Sequence, residues 1–314
     1  MGGEVAESRG AMPDLQAGAG HAARRWRLGD DAAAWLFLAP ASVIFAVVLV
    51  YPLVYSGWLS LFDWDGVAPT RLWVGLGNYV DLFTSNRVFW VALQNNILWS
   101  LLSLFVPTGI GLALALVLNR SFKGNAIFRS IFYFPAILSL SIVGLIWGWM
   151  YQPQLGLINQ ALGAMGLGAL ERNWLSDPSL SLFAVFVAAT WHNAGLPMLL
   201  FLAGLQTVPR EVLEAARIDG AGSWRTFWSV TFPLLRETTM VVVAITAINA
   251  LKVYDIIYVM TFGGPANRTQ VLGTWMYFLT YNHNEVGLGT AIAVILFLLT
   301  LVFAVPYTRH MVRS

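Results

Sequence analysis

Cysteine is absent from the 314 residues, which excludes disulfides, thiolate metal sites and cysteine nucleophiles. Charge is scarce. Asp, Glu, Lys and Arg make up 11% of the chain, against about 25% in soluble domains. With 58% hydrophobic residues and a mean hydropathy of +0.67, that scarcity excludes an ordinary soluble domain and indicates an integral membrane protein. A net charge of +2 gives no reason to expect nucleic acid. No G-x-x-x-x-G-K-[ST] occurs, so no P-loop is expected. Gly109-Ile110-Gly111 lies inside an apolar run and lacks the rest of that motif. There is no G-x-S-x-G, and His21, His192, His283 and His310 are too far apart for paired metal ligation. The chain does not read as an enzyme acting alone, and no bound cofactor or metal is expected.

Long apolar runs dominate what is present. Ala32–Tyr55, about Phe89–Leu118, Ile131–Met150, Leu180–Leu205, Thr238–Thr261 and Val286–Tyr307 each reach the ~20 residues that a bilayer requires. The expected fold is therefore all-α, with six transmembrane helices over 32–307, a flexible tail over 1–31 and a short C-terminus over 308–314. The first run is too long for a signal-peptide core and reads as an uncleaved span. Pro107 and Pro197 are expected to kink their spans, and Gly144-x-x-x-Gly148 permits close helix packing. Gln94, Asn95 and Asn96 put the start of the second span outside the membrane or against a cavity.

The loops fix an orientation. With both termini in the cytoplasm, the inner segments hold Arg9, Arg24, Arg25, Arg27, Arg120, Lys123, Arg129, Arg210, Arg217, Arg225, Arg236, Arg309 and Arg313. The outer segments hold only Arg71, Arg87, Arg172 and Arg268, as the positive-inside rule requires of a cell-membrane protein.

One polar stretch interrupts the apolar chain, residues 208–233, on the inner side between the fourth and fifth spans. Pro209 suits a first helical turn, and Glu211 and Glu214 follow where the helix dipole favours negative charge. Gly220 is expected to take the positive φ of a helix end. A second short helix, Ser223 to Thr231, would align Trp224, Phe227 and Trp228 on one face before Pro233 closes it.

The sequence Glu214-Ala215-Ala216, then Gly220, then Val230, Phe232 and Pro233, resembles the E-A-A coupling loop of binding-protein-dependent ABC importer permeases. Asp219-Gly220-Ala221 with Trp224 and Phe227 is similar to the maltose and glycerol-phosphate permease subfamily. Val230 and Phe232 replace the usual Ile and Leu with other apolar residues. Gly77-Asn78-Tyr79, the F-x-x-P ending at Pro135, Gly156-x-Ile158-Asn159 and Gly263-Gly264-Pro265 extend the resemblance over nearly everything but the tail. The resemblance implies a type I importer permease fold with a cytoplasmic coupling helix. It implies as partners a second homologous permease, an ATPase dimer that uses ATP and Mg2+, an external solute-binding protein and membrane lipid. Glu211, Glu214, Ala215, Ala216, Asp219, Gly220, Ala221 and Pro233 would then form the ATPase-coupling element, and the solute would be a carbohydrate.

The solute path is expected on the fourth and fifth spans. Lys252 and Asp255, at i and i+3, either pair to lock helix packing or face the cavity with Asn249 and Tyr254. Trp191, His192 and Asn193 are candidates to join them, although His192 alone reads as a packing residue. Aromatic faces with amides and charges suit a hydroxyl-rich solute. Competing expectations are the same machinery carrying glycerol phosphate esters, polyamines or another small polar solute, an ion-coupled secondary transporter, and a non-transporting scaffold. A secondary transporter would carry repeats and several intramembrane carboxylates, whereas Asp255 is the only one placed in a span.

Overall fold

The computed structural model describes residues 28–313, so Arg9, His21, Arg24, Arg25 and Arg27 lie outside the described residues. The described residues form two units, which divide between Tyr55 and Ser56 in the middle of a helix. In the first, α1 (Leu28–Phe45) passes through a π-helical turn (Ala46–Val50) into α2 (Tyr51–Leu59). The helix starts within the expected tail. Every side chain from Trp35 to Val54 is exposed, including Trp35, Phe37 and Ile44. An apolar helix open on all sides needs lipid or another chain around it.

The second unit opens with a feature not expected of an all-α chain. Strands β1 (Phe62–Asp63) and β2 (Leu72–Trp73) form an antiparallel ribbon. Helix α3 (Gly77–Thr84) is stapled to it, because Asn78 donates to the Ser60 and Phe62 carbonyls at 2.8 and 2.9 Å. The guanidinium of Arg71 covers the Trp64 ring at 4.3 Å.

Helix α4 (Arg87–Leu118) is the spine, about 48 Å long at 1.5 Å per residue. It continues through Pro107. Arg129 and Asn125 cap its last turn by donating to the Leu118 carbonyl at 2.9 and 2.8 Å. The third span departs from expectation. Helix α5 (Asn125–Tyr133) with the 3-10 turn Phe134–Ile137 meets α6 (Leu140–Met150) at 100°. Leu138 is extended, and Ser139 then caps α6 by accepting from the Ile142 N–H at 3.4 Å. Gly144 of α6 allows close packing, since a Cβ there would lie 3.0 Å from Val259; Gly148 is open.

A loop follows with α7 (Leu157–Ala164), tied by Asn159, which donates to the Pro153 and Arg172 carbonyls and accepts from Trp174 at 2.7 Å. The fourth span is α8 (Ser181–Asn193) and α9 (Gly195–Thr207), jointed at Ala194 three residues before the expected Pro197. Helices α10 (Arg210–Ile218), α11 (Ser223–Thr226) and α12 (Phe232–Leu234) lead at a 71° bend into α13 (Arg236–Leu251). The expected single fifth helix is broken, since α13 ends at Leu251 and α14 (Asp255–Thr261) starts anew. Helix α15 (Leu272–Tyr277) and α16 (Val286–Arg313) complete the chain, and α16 runs well past Tyr307. Among the described residues four helices are long and apolar enough to cross a membrane, or up to six if each bent pair is one span.

Three buried clusters succeed one another along α4. Phe89 and Ala92 pack with Leu272, Leu279 and Ile292. Trp99 packs with Val185, Ala189, Ile256 and Ile257. Ala115 packs with Phe201, Leu205 and Leu235, at the end where the polar stretch lies.

Candidate functional sites: a coupling element and a cavity at a helix break

Residues 208–235 form a knob shaped by local bonds. Pro209 takes φ −62° and ψ 134° and caps α10 from outside, one position earlier than expected. Glu211 sits in the first turn and Arg217 in the last, each at the end of the helix dipole that favours its sign. Gly220 adopts φ +78°, as a left-handed helix end requires. The Ala221 N–H donates to Ala216 at 3.0 Å and the Gly220 N–H to Arg217 at 3.0 Å, which together close a Schellman turn.

No residue of α10 is buried; Glu211, Glu214, Ala215, Asp219 and Gly220 are exposed, and Ala216 and Ala221 half-buried. The following segment is α11, a π-helical turn (Phe227–Thr231) and α12 rather than one helix. Pro233 does not end it. It occupies the first turn of α12, where its missing N–H removes no bond, and the chain turns at buried Leu235. Trp228 joins the expected aromatic face, 5.7 Å from Trp224, 5.0 Å from Phe227 and 5.2 Å from Phe232. Trp224 is 75% exposed, a large apolar surface left open beside a charged helix.

The second site lies at the break between α13 and α14. Lys252 caps α13, Tyr254 is neither helical nor extended (φ −149°, ψ −62°) and Asp255 begins α14, so the expected i, i+3 pair on one continuous helix does not form. Among the described residues neither Lys252 nor Asp255 makes an ion pair or side-chain hydrogen bond. The break is held from a distance. Asn96, only 1% exposed, donates to the Leu251 carbonyl at 3.1 Å and accepts from the Leu272 N–H at 3.2 Å. Asn95 donates to the Arg268 and Gln270 carbonyls, both at 2.8 Å. The two amides face the returning chain rather than water. Beyond α14 the turn is braced by Thr269, which shares a hydrogen bond with Thr261 at 2.7 Å, and by buried Gln270, which accepts from Thr274 at 2.6 Å.

A cavity of about 340 Å³ opens at this break. His192, Asn193, Asn249, Lys252, Tyr254 and Asp255 all line it, brought together from α8 and the α13–α14 break. Trp191 does not. Neighbouring helical residues point about 100° apart, and its ring turns to Trp147 at 6.0 Å. His192 is clipped at both ring nitrogens. Nε2 donates to the Leu138 carbonyl at 3.0 Å, and Nδ1 lies 2.9 Å from the Asn193 amide oxygen. The clip joins α8 to the bend before α6. Trp99, Ser103 and Thr246 also line the cavity and were not expected there. A polar side chain in an apolar run was the available signal for Ser103 and Thr246. The cavity thus offers amide, hydroxyl, cationic, anionic and aromatic groups together, which suits hydrogen bonding and stacking rather than bond-breaking chemistry.

The profile of the family described as "Binding-protein-dependent transport system inner membrane component" matches residues 106–310. A probable ABC transporter permease protein of Bacillus subtilis, YurN, is 36% identical over 269 residues, 85% of this chain and 91% of that protein. The trehalose/maltose transport system permease protein MalF of Thermococcus litoralis is 34% identical over 275 residues, 88% of this chain and 92% of its own length. A solved bacterial ABC transporter involved in import of the acidic polysaccharide alginate contains a chain of the same fold. Its TM-score is 0.77 at 25% identity, over 91% of this chain and 96% of that one. By profile, sequence and fold, the chain belongs to the binding-protein-dependent transport system inner membrane components, as a multi-pass ABC permease subunit with the type I permease fold.

Proposed function

We propose that this chain forms part of the membrane pore of an ATP-driven importer and moves a carbohydrate delivered by an external solute-binding protein. The observation that carries the reading is α10, an exposed helix without a buried residue that ends in the Gly220 turn. Such a knob matches helix-in-groove docking, and Ala215 and Ala216 allow a partner backbone to come close. The partner is an ATPase dimer that binds ATP and Mg2+, which this chain does not. Glu211, Glu214, Asp219, Ala221 and Pro233 complete the docking face or its joint to α13. ATP-driven closure of the ATPases pulls α10 and re-orients the cavity. A second, homologous permease supplies the other half of the pore, and both termini lie in the cytoplasm. The carbohydrate reading is supported by the cavity's Tyr254, Asn193 and Asn249, which can stack on and hydrogen-bond a hydroxyl-rich solute, and by the relative's trehalose/maltose assignment.

Purification of the chain from its native membrane in mild detergent, followed by reconstitution, tests the reading. An ATPase, a second permease and a solute-binding protein should co-purify, and saccharide uptake should require ATP. Uptake by the lone chain in ATP-free proteoliposomes contradicts it.

A further inference from the structure

Four tyrosines lead away from the cavity in steps of similar length. Tyr254, in the cavity lining, stacks on Tyr258 at 5.2 Å and 22°. Tyr277 closes a cluster with both, 5.1 Å from Tyr258 and 5.7 Å from Tyr254, and leads on to Tyr281 at 4.9 Å. None of the four is buried, and Tyr281, the last, is 70% exposed. Rings that served only to fill a core would be enclosed; here the core work is done by neighbouring Trp275 and Leu279, which pack with Phe89 near the Arg87 end of α4. The series therefore runs from the cavity to an open rim at the end of α4 remote from the coupling element.

We infer that Tyr254, Tyr258, Tyr277 and Tyr281 form a stepped track on which the sugar rings of the solute stack on their way into the cavity, with Tyr281 as the outermost step. The inference rests on the carbohydrate reading above. A tyrosine face attracts the C–H face of a pyranose while its hydroxyl exchanges hydrogen bonds with the sugar's own hydroxyls. Tyr258 and Tyr277 illustrate the spare capacity, since their hydroxyls are 3.5 Å apart and still half open. Steps near 5 Å favour solutes with several rings, because adjacent rings then occupy adjacent tyrosines. The specificity this predicts is one of chain length.

The complete transporter, reconstituted with its binding protein and ATPases, is tested for uptake of glucose, maltose, maltotriose, glycerol 3-phosphate and putrescine. Tyr281→Ala is compared with Tyr281→Phe and with the unaltered chain. Loss of one stacking contact should slow saccharide uptake by about three- to tenfold, more for maltotriose than for maltose. Tyr281→Phe should keep most of the rate, and membrane content and basal ATP turnover should not change. If the unaltered transporter imports a saccharide and Tyr281→Ala does so at the same rate, the track is overturned while the carbohydrate reading stands. An equal loss for every saccharide, or a loss shared by basal ATP turnover, also overturns the track in favour of a docking or structural role. Import of glycerol 3-phosphate or putrescine and of no saccharide overturns both.

Discussion

In the 208–235 element no side chain of α10 is buried, and the backbone bonds that close its turn join residues three to five positions apart. At the α13–α14 break, Asn96 is 1% exposed and its two bonds reach 155 and 176 positions along the chain. The first region is self-contained and open. It can be grasped and moved as one piece with little disturbance elsewhere. The second is fixed by long-range amide bonds in an apolar setting, where an unmet backbone group is expensive. A transporter needs both, a handle that transmits force and a frame that keeps the solute-facing groups in register.

The comparison is broken most severely at Gly220. A β-branched residue resists φ +78°, and since no atom lies within 4 Å of the missing Cβ, backbone strain is the only expected penalty. Gly220→Val should lower uptake about five- to thirtyfold, from about 1–2 kcal/mol of left-handed strain, with normal membrane content by immunoblotting. Gly220→Asn, which tolerates that conformation, should recover much of the rate. Normal uptake by Gly220→Val would remove the turn from the mechanism.

Asn96→Ala comes next and strikes the other region. It leaves the Leu251 carbonyl and the Leu272 N–H without their partner, at about 1–3 kcal/mol each. Thermal unfolding in detergent should show that loss as a lowered midpoint, and uptake should fall with it. An unchanged midpoint would mean that the break holds without its bridge.

Lys252→Ala sharpens the contrast inside the frame. Because Lys252 makes no ion pair with Asp255, its removal should leave stability unchanged and alter uptake per molecule severalfold. Lower abundance with unchanged uptake per molecule would return Lys252 to a packing role.

The smallest effect belongs to the loop ahead of α8. The Ser179 hydroxyl and N–H hold the Asp177 carboxylate below its ordinary range. A lowered folded-state value means that the stabilisation is present above about pH 4 and is lost as the pH falls through the folded value. Asp177→Asn should therefore lower stability slightly at neutral pH and flatten the acid limb of a pH–stability curve, the two proteins converging at low pH.

How much of this was legible follows the same division. The 208–235 element could be read because its determinants are adjacent: a proline ahead of a helix, acids in its first turn and a glycine at its end. The gathering of His192, Asn193, Asn249, Lys252, Tyr254 and Asp255 was also within reach, since polar residues in apolar spans must turn inward. The break in the fifth span was not. Nothing between Leu251 and Asp255 is a helix breaker; the Leu251 carbonyl at the interruption is met by Asn96 from another helix, which also ties in the Leu272 N–H at the start of α15. The bend at Leu138 was equally hidden, as was the turn of Trp191 toward Trp147. The expected closure at Pro233 failed for a local reason, since a proline in a first helical turn is tolerated. The glycine and asparagine motifs of the outer loops, read as marks of kinship, act as loop braces at Asn78 and Asn159.

On the proposed reading, α10 is gripped by an ATPase. The chain has no cysteine, so Glu214→Cys introduces a unique thiol on the exposed face of that helix. In the assembled transporter, a short thiol-reactive cross-linker placed there should give one adduct, with the ATPase subunit, whose yield changes when ATP is added. Adducts with the external binding protein, or no adduct with the ATPase in an assembly that still imports its solute, would contradict the account.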